Sequence, residues 1–156
     1  MTGSASGDFR RACVIGWPIA HSRSPIIHGA WLRQYHIAGA YTREPVRPEE
    51  LEDFLLNLQA RGFVGCNVTI PHKEAAFALA AKRMPAAEAV GAANTLWLEK
   101  GKLVADSTDG EGFMANLYAQ APEVRLTGRP ALVLGAGGAA RAIVHALLDA
   151  EVGEVL

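Results

Sequence analysis

The chain has 156 residues, half of them hydrophobic, and its 15 basic and 16 acidic residues give a formal net charge of −1. These charges are balanced and dispersed, so the sequence lacks the basic footprint of a nucleic-acid-binding protein. No apolar run approaches the roughly 20 residues that span a bilayer, and the polar N-terminus does not resemble a signal peptide. We therefore expect a cytoplasmic protein that binds neither nucleic acid nor membrane.

The cysteines and histidines indicate no metal site. Cys13 and Cys66 each lie in an apolar, strand-like run, which favours two buried thiols in a reducing compartment over a disulfide or a nucleophile. No histidine pairs with a cysteine or carboxylate at the spacing of zinc ligands. The five histidines are His21, His28, His36, His72 and His145.

Short apolar runs alternate with helical periodicity after residues 1–11, which we predict to be a disordered tail. A helix is predicted over 24–35, with Ser24 as its cap, Pro25 at its first position and one apolar face. That face comprises Ile27, Trp31 and Tyr35. Three strands are predicted in the first half, over 12–16, 40–46 and 63–70.

The clearest helix is predicted over 48–62, where apolar residues repeat at i, i+3, i+4 and i+7 and Gly62 ends the pattern. These apolar residues are Leu51, Phe54, Leu55 and Leu58. Further helices are predicted over 72–83 and 85–91. Lys100 and Gly101 indicate a hairpin within 94–106.

The second half continues with a helix over 108–120 and a strand, glycine turn and helix over 130–150, before a further strand-like run, EVL. The alternation of strands and helices predicts an α/β fold with a mainly parallel sheet. Because a second strand–helix pattern starts after it, a domain boundary is expected near residues 106–110.

The stretch ALVLGAGGAAR matches the G-x-G-x-x-A pattern through Gly135, Gly137 and Ala140. It follows a predicted strand and opens a predicted helix. This context favours dinucleotide binding, and the alternative is a glycine-rich turn that binds no nucleotide. The residue that selects NAD or NADP normally lies roughly 20 positions further on. We therefore expect the chain to be a fragment that holds half of a nucleotide site.

Polar side chains follow the predicted strands at the sheet edge where open α/β folds bind ligands. Two hydroxyls spaced i, i+2 before a helix can hold a carboxylate, and a lysine near an aspartate can exchange a proton with an alcohol or ketone oxygen. Taken singly, each residue also has a structural explanation as a cap, a turn residue or a solvated charge. The set comprises His21, Ser22, Arg23, Ser24, Asn67, Thr69, Lys73, Asn94, Thr95, Asp106, Thr108 and Asp109.

Five stretches together resemble the shikimate dehydrogenase family in order and approximate spacing: GWPIAHSRSPIIH, GCNVTIPHKEAA, GAANTL, DSTDGEGF and LGAGGAAR. The resemblance covers roughly residues 12–156. It implies NADPH-dependent reduction of 3-dehydroshikimate to shikimate, a step of chorismate and aromatic amino-acid biosynthesis. It also implies a substrate-binding domain over 12–107, then a linker helix and the first strand–turn–helix of an incomplete Rossmann-type domain over 108–156.

The resemblance assigns roles to individual residues. Ser22 and Ser24 would bind the substrate carboxylate, and its ring hydroxyls would contact Asn67, Thr69, Asn94 and Asp109. Lys73 would donate a proton to the C3 oxygen in reduction and accept it in oxidation, with Asp109 as its partner. The NADP pyrophosphate would lie along Gly135, Ala136, Gly137, Gly138 and Ala139. Two positions depart from the family pattern, Ser107 in place of asparagine and His72 in place of an aromatic residue.

Two alternatives stay open at this point. One is a quinate/shikimate dehydrogenase with broader substrate or NAD use, although serine at position 24 favours shikimate. The other is a non-catalytic module that binds a shikimate-like ligand. We expect the 156 residues alone to be inactive, because hydride transfer requires both ligands within reach. A homodimer is compatible with the resemblance.

Overall fold

The structure is a computed structural model that describes residues 9–156. These residues form eight strands and six α-helices, with a 3₁₀ turn at Pro48–Glu50 before α2. In chain order the elements are β1 (Arg10–Gly16), α1 (Ser24–Gln34), β2 (Gly39–Pro45), α2 (Leu51–Leu56), β3 (Gly65–Val68), α3 (Lys73–Leu79), β4 (Lys82–Arg83), α4 (Pro85–Val90), β5 (Thr95–Glu99), β6 (Lys102–Asp106), α5 (Asp109–Gln120), β7 (Pro130–Ala131), α6 (Gly138–Asp149) and β8 (Glu154–Val155).

Strands β1 to β6 form one sheet in the order β2-β1-β3-β5-β6-β4. β1 pairs in parallel with β2 and β3, and β4 pairs in parallel with β6. β5 runs antiparallel to β3 and to β6, and the predicted hairpin joins it to β6 through Lys100 and Gly101, both with positive φ. The predicted α/β fold with a mainly parallel sheet is confirmed. β7 and β8 pair in parallel as a separate two-stranded sheet.

The core lies between one face of the large sheet and helices α2 and α3. The four apolar residues predicted on the 48–62 helix are all buried, and Leu58 is 0% exposed. Cys13 and Cys66 face each other across β1 and β3 as buried free thiols, as predicted. The hydrogen bond with Cys66 and burial both raise the pKa of the Cys13 thiol. This raised pKa opposes a nucleophilic role for Cys13.

Helix α1 covers part of the opposite face, where it packs against β2. None of its residues, all within the described range, is fully buried. The predicted apolar face is therefore exposed, and Trp31 keeps half of its surface in solvent. The predicted cap is wrong by one position: Ser24 is the first helical residue, and Arg23 occupies the N-cap without a capping hydrogen bond from its side chain.

Several predicted boundaries are wrong. β1 begins at Arg10, so the end of the predicted tail pairs with β2, while residues 1–8 lie outside the described range. The helix predicted over 48–62 ends at Leu56. The residues that follow form turns up to Gly62, whose φ is +83°. The helix predicted to residue 83 ends at Leu79, because Lys82 and Arg83 pair with β6.

The unit formed by β7, the glycine turn and α6 packs against the preceding part of the chain through α6. α6 contacts both α4 and α5. A Cβ atom at Gly110 of α5 would lie 2.8 Å from the Ala142 carbonyl oxygen, so glycine permits this close approach. Within residues 9–156, no helix combines the length and apolar character needed to cross a bilayer.

Candidate active site

Lys73 and Asp109 form an ion pair at the carboxyl edge of the large sheet. The lysine Nζ donates to Oδ2 of the aspartate, and the two side chains keep 14% and 23% of their surfaces exposed. Each residue is the first of its helix, α3 and α5 respectively. A partly shielded ammonium beside a carboxylate is suited to proton exchange with a bound oxygen.

The backbone around Lys73 is held on several sides. After β3, the Thr69 amide donates to the Ile15 carbonyl at 3.0 Å, and the His72 amide donates to the Thr69 carbonyl at 3.0 Å. The Lys73 carbonyl accepts from the Ala93 amide at 2.9 Å. These bonds hold Lys73 at the start of its helix, where the dipole disfavours a cation and the Asp109 carboxylate offsets that cost.

His72 anchors this turn from inside the protein. Its side chain is 1% exposed, and Nε2 donates to the Val46 carbonyl at 2.7 Å. The bond joins the start of α3 to the segment after β2. The histidine that departs from the family pattern therefore occupies a buried supporting position directly beside Lys73.

Asn94 fixes the other side of the Asp109 carboxylate. Its Nδ2 donates to Asp109 Oδ1 at 2.9 Å and to Thr108 Oγ1 at 3.0 Å. Its Oδ1 accepts from the Thr108 amide at 3.0 Å, which fixes the orientation of the amide group. With one oxygen bound to Lys73 and the other to Asn94, the carboxylate has a defined orientation.

Asn67 continues the same network along the sheet. Its Nδ2 donates to Thr95 Oγ1 at 3.1 Å and to the Asn94 carbonyl at 3.3 Å. Its Oδ1 accepts from the Tyr41 hydroxyl at 2.6 Å. Hydrogen bonds thus connect Tyr41, Asn67, Thr95, Asn94, Asp109 and Lys73 in an unbroken series that we call the polar network.

Tyr41 belongs to the polar network, although no sequence motif indicates it. Its ring stacks on His28 of α1, with centroids 4.0 Å apart and an interplanar angle of 4°. Burial raises the pKa of the Tyr41 phenol, which keeps its hydroxyl protonated as a donor to Asn67. Only the strand register reveals this role, because β1 separates Tyr41 on β2 from Asn67 on β3.

The two predicted carboxylate-binding serines form their own pair in the loop before α1. Ser22 Oγ donates to Ser24 Oγ at 3.3 Å, and the Ser24 amide donates to Ser22 Oγ at 3.3 Å. Arg43, also missed from sequence, donates from Nε to the Ser22 carbonyl at 2.7 Å. Of the other strand-end residues, His21 and Arg23 are exposed, and Asp106 accepts from the Ser107 amide.

The glycine turn opens into the same cleft as Lys73. This cleft has a volume of about 480 Å³ and is lined by Thr69, Lys73, Glu74 and residues 137–140. Gly135 has a φ of +133°, and Gly137 forms the N-cap of α6. A Cβ atom at Gly137 would meet nothing within 4 Å, so the backbone there is open to a ligand.

A metal centre is not evident in the part of the chain that the structure describes. Within residues 9–156, no group of three or more histidine, cysteine, aspartate or glutamate side chains could hold an ion. Of the polar network, Lys73 lines the cleft with the glycine turn, whereas Tyr41, Asn67 and Thr95 line a neighbouring pocket with His28.

The fold and the site define an α/β protein in which a lysine–aspartate pair at the sheet edge shares a cleft with a glycine turn of nucleotide-binding type. The family model for the shikimate dehydrogenase substrate binding domain matches residues 14–96. The chain belongs to the shikimate dehydrogenase family, which confirms the resemblance carried by the five sequence stretches.

Individual relatives agree with this assignment. The shikimate dehydrogenase (NADP(+)) of Methylocella silvestris is 56% identical over 139 residues, covering 89% of this chain and 50% of that protein. The protein of the same name from Brucella abortus is 57% identical over 140 residues, covering 90% and 48% respectively. The chain thus spans about half the length of the curated relatives it matches.

Solved structures show the same fold. The shikimate dehydrogenase of Aquifex aeolicus superimposes with a TM-score of 0.88 at 33% identity, covering 99% of this chain and 57% of that one. The enzyme of Thermus thermophilus, in complex with NADP(H) and shikimate, gives a TM-score of 0.83 at 37% identity, covering 94% and 55%.

Proposed function

We propose that the whole protein is a shikimate dehydrogenase that catalyses the reversible, NADPH-dependent reduction of 3-dehydroshikimate to shikimate in chorismate biosynthesis. The observation that carries this proposal is the Lys73–Asp109 ion pair, which shares one cleft with the glycine turn. A proton donor and a nucleotide-binding element on one cleft are the two parts that ketone reduction requires.

Lys73 is the proton donor in this proposal. As the C3 carbon of the substrate gains a hydride, the C3 oxygen takes a proton from the Lys73 ammonium, and the ketone becomes a secondary alcohol. In the oxidative direction the neutral amine accepts that proton. The Asp109 carboxylate orients the ammonium group, while Asn94 fixes the carboxylate from the other side.

The remaining network residues and the serine pair would bind the substrate. Ser22 and Ser24 would hold its carboxylate with two hydroxyls at the start of α1. Asn67, Thr69, Asn94 and Asp109 would contact its ring hydroxyls. Because Asn67 is fixed by Tyr41 and Thr95, its amide is preorganised before substrate arrives.

The glycine turn fits the pyrophosphate of NADP. Gly135 to Ala139 would hold it, because the backbone at Gly137 faces open space and the first turn of α6 presents unpaired amides. NADPH supplies the hydride when bound. The protein's contribution on this side is to hold the nucleotide and to place Lys73 beside the reacting oxygen.

The domain assignment forms part of the same proposal. The substrate-binding domain, predicted over 12–107, begins at Arg10 with β1, and residues 108–156 form a linker helix followed by part of the dinucleotide-binding domain. The two buried free thiols are in keeping with the predicted cytoplasmic location. Homodimerisation stays a prediction.

Steady-state kinetics of the whole protein test the proposal. We expect shikimate-dependent reduction of NADP⁺, with a higher kcat/KM for shikimate than for quinate and for NADP⁺ than for NAD⁺. Equal use of quinate would favour the broader quinate/shikimate dehydrogenase. If the whole protein bound shikimate without turnover, it would instead be a non-catalytic binding module. The 156-residue chain by itself is a separate case, and we expect it to bind shikimate without turnover.

A further inference from the structure

An ion pair joins the helix that carries Lys73 to the helix that follows the glycine turn. Arg141 Nη2 lies 3.2 Å from Glu74 Oε1, and both side chains are about half exposed, at 48% and 50%. Glu74 directly follows Lys73 at the start of α3. Arg141 lies in the first turn of α6. The pair therefore links the two parts that the proposed reaction must bring together.

The position of Arg141 needs an explanation, because the partial positive charge at a helix N-terminus disfavours a cation. The contact with Glu74 offsets this cost. Glu74 provides a carboxylate, and its own place in the first turn of α3 is favourable for an anion. Arg141 Nη1 also lies beside Gly91, 3.8 Å from the site that a Cβ atom there would occupy, at the C-terminal end of α4.

Gly138 provides an independent contact between the same two helices. A Cβ atom at this position would lie 2.9 Å from Ala92 Cβ and 3.2 Å from Lys73 Cβ. The first two glycines of the turn, Gly135 and Gly137, serve its tight bend and its open backbone, but Gly138 is not one of the fixed positions of the G-x-G-x-x-A pattern. Its lack of a side chain is explained by the close packing of α6 on Lys73.

We propose that Glu74, Arg141 and Gly138 are positioning residues that hold the nucleotide-binding turn at a set distance from Lys73. This inference rests on the proposed function. It predicts that disturbing the contact impairs the use of NADPH and the rate of transfer, because misplacement of reacting groups by about 1 Å can cost on the order of 100-fold. Shikimate binding should be spared, since the serine pair and Asn67 do not touch these residues.

A double-mutant cycle in the whole protein tests the ion pair. We expect Glu74→Gln and Arg141→Met each to lower kcat/KM for NADPH by about 2- to 5-fold, as for an exposed ion pair. The double variant should be no worse than either single variant, because both remove the same contact. The Kd for shikimate should change less than about twofold, within the range of remote surface changes.

The Lys82–Glu99 pair is a matched control. Its atoms are 2.9 Å apart and its side chains are 54% and 52% exposed, but it lies on β4 and β5, outside the cleft. Glu99→Gln should leave every kinetic parameter unchanged. If Arg141 binds the nucleotide directly, Arg141→Met alone will weaken NADPH binding and Glu74→Gln will not, which would contradict the positioning role of the pair.

Gly138→Ala tests the second contact. We expect a loss of about 10- to 100-fold in kcat for NADPH-dependent turnover, with the shikimate Kd retained as evidence that the substrate domain is folded. If the variant does not fold, the double-mutant cycle still decides. Absence of turnover in the wild-type protein would contradict the proposed function. If the wild-type protein turns over and the Glu74, Arg141 and Gly138 variants have the same kinetic parameters as Glu99→Gln, the positioning role is contradicted and the proposed function is not.

Discussion

The polar network, through Lys73, and the glycine turn border the same cleft, but the structures that hold them in place are very different. The network stands on a six-stranded sheet above a buried core, and its side chains are fixed by reciprocal hydrogen bonds. The turn follows β7, which pairs with β8 alone among the described residues, and Leu134 beside it is 89% exposed. Even so, the turn has its positive φ and opens a regular helix. The arrangement of the polar network depends on tertiary packing, whereas the shape of the turn is encoded locally.

The largest expected effect comes from removing the proton donor. In the whole protein, Lys73→Ala should lower kcat by about 10²- to 10⁴-fold, since this is the usual contribution of general acid–base catalysis. Shikimate affinity, measured by titration, should change little. Lys102→Ala removes an exposed lysine at the hairpin and serves as control. A Lys73→Ala variant that retains more than half of the wild-type kcat would contradict the assigned role.

The second-largest effect is expected in the buried core beneath the sheet that carries the polar network. Leu58 is 0% exposed in the core, whereas Leu56, two residues earlier, is 69% exposed. Leu58→Ala should lower the free energy of unfolding by about 2–5 kcal/mol, because it leaves a cavity. Leu56→Ala should change it by less than about 0.5 kcal/mol. Urea denaturation of both variants measures the difference, and equal losses would contradict the described core.

Local patterns predicted most of the fold. The spacing from Leu51 to Leu58 identified the core face of its helix, although α2 ends two residues before the last of these leucines. Lys100 and Gly101 predicted the hairpin because positive φ at both positions is a local requirement. The ends of the helices were less predictable, since pairing of Lys82 and Arg83 with β6 depends on residues distant in sequence.

The site was predictable to the extent that its residues carry family motifs. Lys73, Asp109, Asn94 and Asn67 were all identified, and the structure brings them into one network. Tyr41 and Arg43 were not, because nothing in their own stretch indicates a partner. Their contacts with Asn67 and Ser22 exist only once β2 has paired with β1. Residues that hold a functional side chain in place are thus harder to predict from sequence than the functional residue itself.

A smaller effect is expected at this supporting contact. Tyr41→Phe keeps the ring that stacks on His28 and removes only the hydroxyl that binds Asn67. The loss of one hydrogen bond, about 0.5–1.5 kcal/mol, should raise KM for shikimate by roughly 2- to 10-fold with little change in kcat. Tyr118→Phe, on exposed α5, is the matched control. An equal fall in kcat would show that Tyr41 acts on the chemical step instead.

The smallest effect is expected beside the glycine turn. Leu134→Ser in the 156-residue chain should change the free energy of unfolding by less than about 0.5 kcal/mol, because its side chain is already in solvent. Leu147→Ser, on the same unit but only 5% exposed, should cost several times more, since it buries a hydroxyl among apolar groups. Chemical denaturation distinguishes the two. If Leu134→Ser proved as costly as Leu147→Ser, the turn would depend on packing as the network does, and the contrast between the two regions would be wrong.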